Sequence, residues 1–75
     1  MKDLIEFIAK SLVDDPTQVE VKEELERGRI RLILTVADED MGRVIGKGGR
    51  VANAMRSLLR VKAAQRGTKA SLDIR

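Results

Sequence analysis

The sequence contains no cysteine, histidine, tryptophan or tyrosine, and only one phenylalanine and one proline. Without cysteine there is no disulfide framework and no thiolate metal site. Without histidine, the commonest general base and the commonest zinc ligand are missing too. Carboxylates alone could still do chemistry. A chain of 75 residues, however, buries only about 60–65% of its unfolded surface and has little material for a deep pocket. These absences point away from an enzyme, a metal site, a cofactor or a small-molecule substrate. No apolar run approaches the roughly 20 residues of a membrane span, so no membrane partner is expected. The opening stretch MKDLIEFIAKSLVDD has acids inside its apolar pattern and no signal-peptide pattern, so a cytoplasmic protein is expected.

Charge is present in quantity and is unevenly placed. Residues 1–42 carry 6 Lys/Arg against 11 Asp/Glu, whereas residues 43–75 carry 9 against 1. A strongly basic second half is the footprint expected of a surface that meets a polyanion, with nucleic acid the first candidate.

The apolar spacing suggests one domain over residues 1–75. Leu4, Ile5, Ile8 and Leu12 form a helical stripe, widened by Phe7 and ended near Val13 by Asp14-Asp15-Pro16. Alternation at Val19 and Val21 suggests an edge strand over 18–24, with the acids of Glu20 to Glu26 as its solvated rim. After a turn at Gly28, the stretch RIRLILTV alternates cleanly as a strand over 29–36. Ile30, Leu32, Leu34 and Val36 share one face; Arg29, Arg31, Ile33 and Thr35 share the other. A short helix over 39–45 follows, opened by acids able to cap it. A long helix runs over 50–66, with Ala52, Met55, Leu58, Leu59 and the Lys62 stem inward and Arg56, Arg60 and Arg66 outward. Gly67 ends it, and TKASLDIR alternates as a last strand. This order gives an α+β class, with a three-stranded sheet covered by helices on one face. The helical crossover suggests that the last strand lies parallel to the strand at 29–36.

Between the two later helices stands VIGKGGR, with three of the chain's six glycines. It is not a Walker loop: only three residues separate Gly42 from Gly46-Lys47, and Gly48 follows the lysine. Nor is it the dinucleotide fingerprint, because Val51 occupies the third glycine position. What fits is G-x-x-G between two helices, Gly46-Lys47-Gly48-Gly49. Gly46 can end one helix and Gly49 can open the next, whose first amides are free for an anion. With no side chain at Gly48 a sugar-phosphate backbone can come close, while Lys47 and Arg50 supply charge. A ligand-free helix–helix turn is the plainer alternative.

VIGKGGR within a strand–helix–GxxG–helix–strand order resembles a KH domain, whose GXXG loop clamps about four backbone nucleotides of RNA. The preceding helix and strand make it similar to the type II arrangement with a mixed sheet, residues 1–28 forming the extension and 29–75 the core unit. The nearest resemblance is to the small bacterial single-KH proteins of the KhpA family. That resemblance implies single-stranded RNA as a partner, bound by Gly46, Lys47, Gly48, Gly49 and Arg50 with Arg43 beside them. Val44, Ile45 and Val51 would supply an apolar floor bounded by the last strand. It also implies a homodimer, or a heterodimer with a larger KhpB-type protein, and a role in post-transcriptional regulation, as an RNA chaperone, or in cell shape and wall organisation. A second reading is a dimerisation module with RNA binding secondary. Gly48 departs from the polar side chain usual in the wider family, and no aromatic residue is available to stack on a base. Weak, salt-sensitive binding with little sequence preference is expected.

Overall fold

Residues 1–75 are described by the computed structural model. Helix α1 spans Lys2–Leu12 and stops just ahead of the Asp14-Asp15-Pro16 breaker. Ile5 and Ala9 are fully buried on one side of it, and Met1, Ile8 and Val13 pack beside the core. Phe7 departs from the expected stripe and is 71% exposed. Two residues from Ile5 is about 200° around a helix, which turns the ring away from the sheet.

Pro16–Gln18 forms a single 3-10 turn, and it delays the first strand by two residues relative to the sequence pattern. The cause is local. The Asp15 carboxylate accepts the Thr17 amide at 3.2 Å and the Gln18 side-chain amide at 2.7 Å, which favours a turn over an extended chain. Thr17 and Gln18 thereby hold the Asp15 carboxyl below its ordinary pKa.

Strand β1 spans Glu20–Glu26 and strand β2 spans Arg29–Thr35, paired antiparallel with Val21 opposite Leu34. Arg27 and Gly28 both have positive φ, 53° and 75°. A two-residue hairpin of the primed type requires that of both central residues, since its twist matches the strands. Strand β3, Lys69–Ile74, lies parallel to β2 with Leu72 beside Leu32, giving the order β1-β2-β3. The three-stranded mixed sheet expected from the helical crossover is therefore present.

Helix α2 spans Met41–Ile45 and helix α3 spans Arg50–Gln65. Ala52, Met55, Leu59 and Ala63 form the buried stripe of α3. They meet Ile5, Leu32, Leu34, Val44 and Leu72 in one core between the helices and one sheet face. Burying side chains of this size is worth about 1.5–3 kcal/mol each. Leu58 and Lys62, expected to face inward, are both exposed, Leu58 to 49%. The stripe is narrower than the spacing suggested, because α3 lies over β3 and α1 covers the β1 side instead. Gly67 ends α3 with φ +69°, and the Thr68 amide returns to the Ala63 carbonyl at 2.9 Å.

Asp40 does not cap α2 as the acidic run suggested, and it is the one buried charged residue, 2% exposed. Its carboxylate turns toward the α1–β1 connection, where it accepts the Asp14 amide at 3.0 Å and the Asp15 amide at 3.1 Å. The start of α2 is thus tied to the chain leaving α1, which fixes the helix that leads into the glycine loop.

Candidate nucleic-acid interface

The loop begins with Gly46, at φ +77° and ψ 168°, a backbone region that is essentially reserved for glycine. A Cβ there would stand 2.6 Å from Val51 Cγ2 and 2.8 Å from the Val51 amide nitrogen. The start of α3 therefore packs directly on the Gly46 backbone, and the turn between α2 and α3 is sharp because no side chain separates them. The Gly49 amide closes it by donating to the Gly46 carbonyl at 3.1 Å. Gly49, at φ +81° and ψ 13°, opens α3, and no side chain caps that end. Gly48 is left-handed too, at φ +63°, but a Cβ there would meet nothing within 4 Å. The outer rim of the loop is bare backbone.

Lys47 and Arg50 flank this rim, exposed and without an ion-pair partner. Arg43 is placed differently. Its guanidinium sits 3.1 Å from an Asp14 oxygen and 3.6 Å from Asp40, so it braces the α1–β1 connection. The three expected floor residues also separate. Val44 is fully buried and belongs to the core, whereas Ile45 is 36% exposed and Val51 is half-buried, both beside the loop.

C-terminal to the loop, a groove lies between α3 and β3, whose outer edge is unpaired because β3 is the last strand of the sheet. Its middle section is a cleft of about 250 Å³ lined by Arg56, Leu59, Arg60, Ala70, Ser71 and Leu72. Arg56 lies across the strand edge, with Nε donating to the Leu72 carbonyl at 3.3 Å and Nη1 to Asn53 Oδ1 at 3.3 Å. The apolar spacing of α3 places Arg56 and Arg60 facing outward. Their spacing of four residues puts them on one helix flank, which was legible; that this flank borders the last strand was not.

On the far face of the sheet, Arg31 is committed to Asp73, with Nε donating to its carboxylate at 3.0 Å, and has Glu24 at 3.9 Å. The hydrogen bond from Arg31 holds the Asp73 carboxyl below its ordinary range, and the same bond raises the Arg31 guanidinium. Ile33 is 7% exposed on this face, between Lys22 and Asp73 in register. That face is self-neutralised around Arg31 and Asp73, whereas Arg29 and Lys69 at its far end, like Lys47, Arg50 and Arg60, have no ion-pair partner.

The comparisons with known proteins agree with this geometry. A family described as "KhpA/KhpB, KH domain" matches residues 2–74. The RNA-binding protein KhpA of Clostridium perfringens is 49% identical over 74 residues, covering 99% of each chain. Its counterpart in Clostridium acetobutylicum is 47% identical over 74 residues, with the same coverage of both. That of Treponema pallidum is 45% identical over 73 residues, covering 97% of this chain and 91% of its own. Among solved structures, Aquifex aeolicus Era bound to GDP and AlF4− superposes with a TM-score of 0.70. The overlap spans 97% of this chain and 28% of that longer one at 20% identity, a likeness of fold alone. With a type II KH fold, a GxxG turn at its expected place and relatives this similar over their whole length, the chain belongs to the KhpA/KhpB KH-domain family.

Proposed function

We propose that the protein binds single-stranded RNA by its phosphate backbone at the Gly46–Gly49 loop, with no enzymatic step. The observation that carries this reading is the bare rim at Gly48, set between the unpaired cations Lys47 and Arg50 at the start of α3, the helix that walls the groove. A phosphate can approach main-chain amides there without meeting a side chain, and such contacts hold a strand without reading its sequence. Ile45 and Val51 give the following base an apolar floor, and about four nucleotides fit one KH clamp. Relatives named as RNA-binding proteins support the same ligand. Val44 acts from beneath, as core support, and Arg43 by holding α2 in place.

One clamp of this kind binds weakly, so we infer that the protein works as a dimer, whether with a second copy or with a KhpB-type partner. Leu58 and Val61 favour this, being 49% and 57% exposed on the side of α3 away from the groove. Two linked clamps gain effective concentration on one RNA. The family resemblance, rather than the geometry, is what suggests post-transcriptional regulation or RNA chaperoning in the cytoplasm, with a role in cell shape and wall organisation.

The test is Lys47→Asp with Gly48→Asp, titrated with fluorescent single-stranded RNA by anisotropy across a salt series. Position 48 has room for the new side chain, and Asp tolerates left-handed backbone better than most residues. The parent should lose affinity with a log–log salt slope of roughly −0.7 per neutralised phosphate. The variant should stay folded and lose at least about tenfold in affinity. Unchanged affinity in a folded variant would overturn the clamp. Light scattering on the same samples shows whether the oligomer survives, which separates the two surfaces.

A further inference from the structure

Beyond the middle cleft, the α3–β3 groove opens into a larger cavity of about 440 Å³ at the far end of the helix. Its walls hold Arg29, Arg60 and Lys69, and its floor is Ala63, Ala64 and Ala70. No carboxylate lines it, and none of the three cations forms an ion pair. Glu26 stands opposite Arg29 in the strand register and still makes no pair with it. The cavity shares Arg60, Ala70 and Ser71 with the middle cleft, so the two are continuous.

We propose that this cavity is a second nucleotide subsite, which takes the single-stranded RNA as it leaves the glycine-loop clamp. The inference rests on the reading of that loop as an RNA clamp. Ala63 lies fourteen residues along the chain from Gly49, about 20 Å of helix rise from the loop. A strand anchored at the loop and following the β3 edge reaches it only after crossing the middle cleft. The chemistry suits a nucleotide. Its volume lies within the range of about 300–1,000 Å³ typical of ligand clefts. The alanine floor leaves space that larger side chains would fill, and Thr68 and Ser71 offer hydroxyls at its edge. A guanidinium plane stacks on a base as an aromatic ring does, so Arg60 or Arg29 can supply what this chain lacks in aromatic residues. Lys69 is then placed for the adjoining phosphate. The clamp sets where the strand starts, and this cavity extends the length of RNA that one copy holds.

The experiment is a length series of single-stranded RNA, from tetramer to decamer, titrated against the parent and against Arg29→Gln/Arg60→Gln/Lys69→Gln. All three side chains are exposed, so the thermal unfolding of the variant should match the parent. Parent affinity should rise by roughly tenfold between tetramer and octamer, the scale of one added stacked base. The variant should bind the tetramer as the parent does and lose that gain, with a salt slope for the octamer shallower by about 0.7 or more. Amide signals of Thr68 to Ser71 should shift with octamer and stay still with tetramer. A parent with no length gain, or a variant that keeps it, overturns the second subsite while leaving the clamp intact. Loss of tetramer binding in the variant overturns it as well, by placing these residues in the first clamp. Should the variant lose only the binding of an oligoglutamate peptide, the cavity is a site for an acidic protein partner and the RNA path is wrong. Failure of the clamp itself shows separately, as a parent indifferent to Lys47→Asp/Gly48→Asp on every length.

Discussion

Replacing Asp40 should cost this protein a large share of its stability, although the residue touches no part of the glycine loop. Its buried carboxylate accepts two backbone amides, from Asp14 and Asp15, at 3.0 and 3.1 Å. A hydrogen bond to a charged group contributes about 1.5–3 kcal/mol net. Asp40→Ala removes both and leaves the two amides facing a void that water reaches only partly. Against this, the alanine no longer requires a carboxylate to be desolvated, so the expected loss is about 2–4 kcal/mol rather than the full sum. For a chain of 75 residues the whole stability is about 4–11 kcal/mol. Asp40→Asn keeps the shape but has one acceptor oxygen for two donors, and should lose about 1.5–3 kcal/mol. Arg43→Ala is the control. That side chain is 54% exposed and its closer pair, with Asp14, is at the surface, where such pairs contribute about 0–1 kcal/mol. The buried Asp40 carboxylate, 3.6 Å away, keeps both of its amide hydrogen bonds when Arg43 is removed. Urea unfolding followed by far-UV circular dichroism reads all three. The Asp40→Ala midpoint should fall by at least about 1 M with unchanged slope. A loss below about 1 kcal/mol, or equal losses for Asp40→Ala and Arg43→Ala, would refute the assignment of this carboxylate as the tie between α2 and the α1–β1 connection.

Two further outcomes follow from particular residues. Gly46→Ala should lower the thermal midpoint well beyond Gly48→Ala. The first adds a Cβ 2.6 Å from Val51 Cγ2 at a glycine-only conformation, with a backbone cost of about 1–3 kcal/mol before the clash is counted. The second adds only the left-handed cost of about 1–2 kcal/mol, so equal effects in differential scanning would count against the close packing of α3 on Gly46. Acid should weaken the fold through Asp73 and Asp15, whose folded-state pKa values are depressed, by the Arg31 bond and by the Thr17 and Gln18 bonds respectively. A depressed carboxyl contributes stability that is fully present above its unfolded value of about 3.9 and is lost as pH falls through the folded one. Urea midpoints should therefore hold from neutral pH to about 5 and decline below about 4, less so in Asp73→Asn, and an identical decline in that variant would remove Asp73 from the account.

The element order, the mixed sheet and the GxxG turn were legible because each is written in local terms. Alternation with period two at Ile30 to Val36 marks a strand that turns Ile30, Leu32, Leu34 and Val36 to the core, and the helical connection that follows suits a parallel return. Gly46, Gly48 and Gly49 were legible as a group because three glycines in four residues between two helical patterns mark a tight turn, and all three adopt positive φ. Their individual roles were not. Gly46 is fixed by Val51, five residues on, whereas Gly48 is held by nothing around it.

Tertiary packing decided the rest, because it chooses among equivalent local patterns. Phe7 and Leu58 match the apolar spacing of their helices as well as their buried neighbours do, and only the direction of the sheet sets them outside. Val44 and Ile45 are adjacent and chemically alike, yet the axis of α2 sends one into the core and leaves the other part-exposed beside the loop. Arg43, Arg56 and Arg60 are indistinguishable by charge. Partners 29 residues back, at Asp14, and 16 residues on, at Leu72, make the first a brace and the second a cover on the strand edge, while the third remains free. The sequence determined that a basic half and a bare loop exist; the fold determined which cations are left unpaired beside that loop, because an ion pair depends on distance in space and not along the chain.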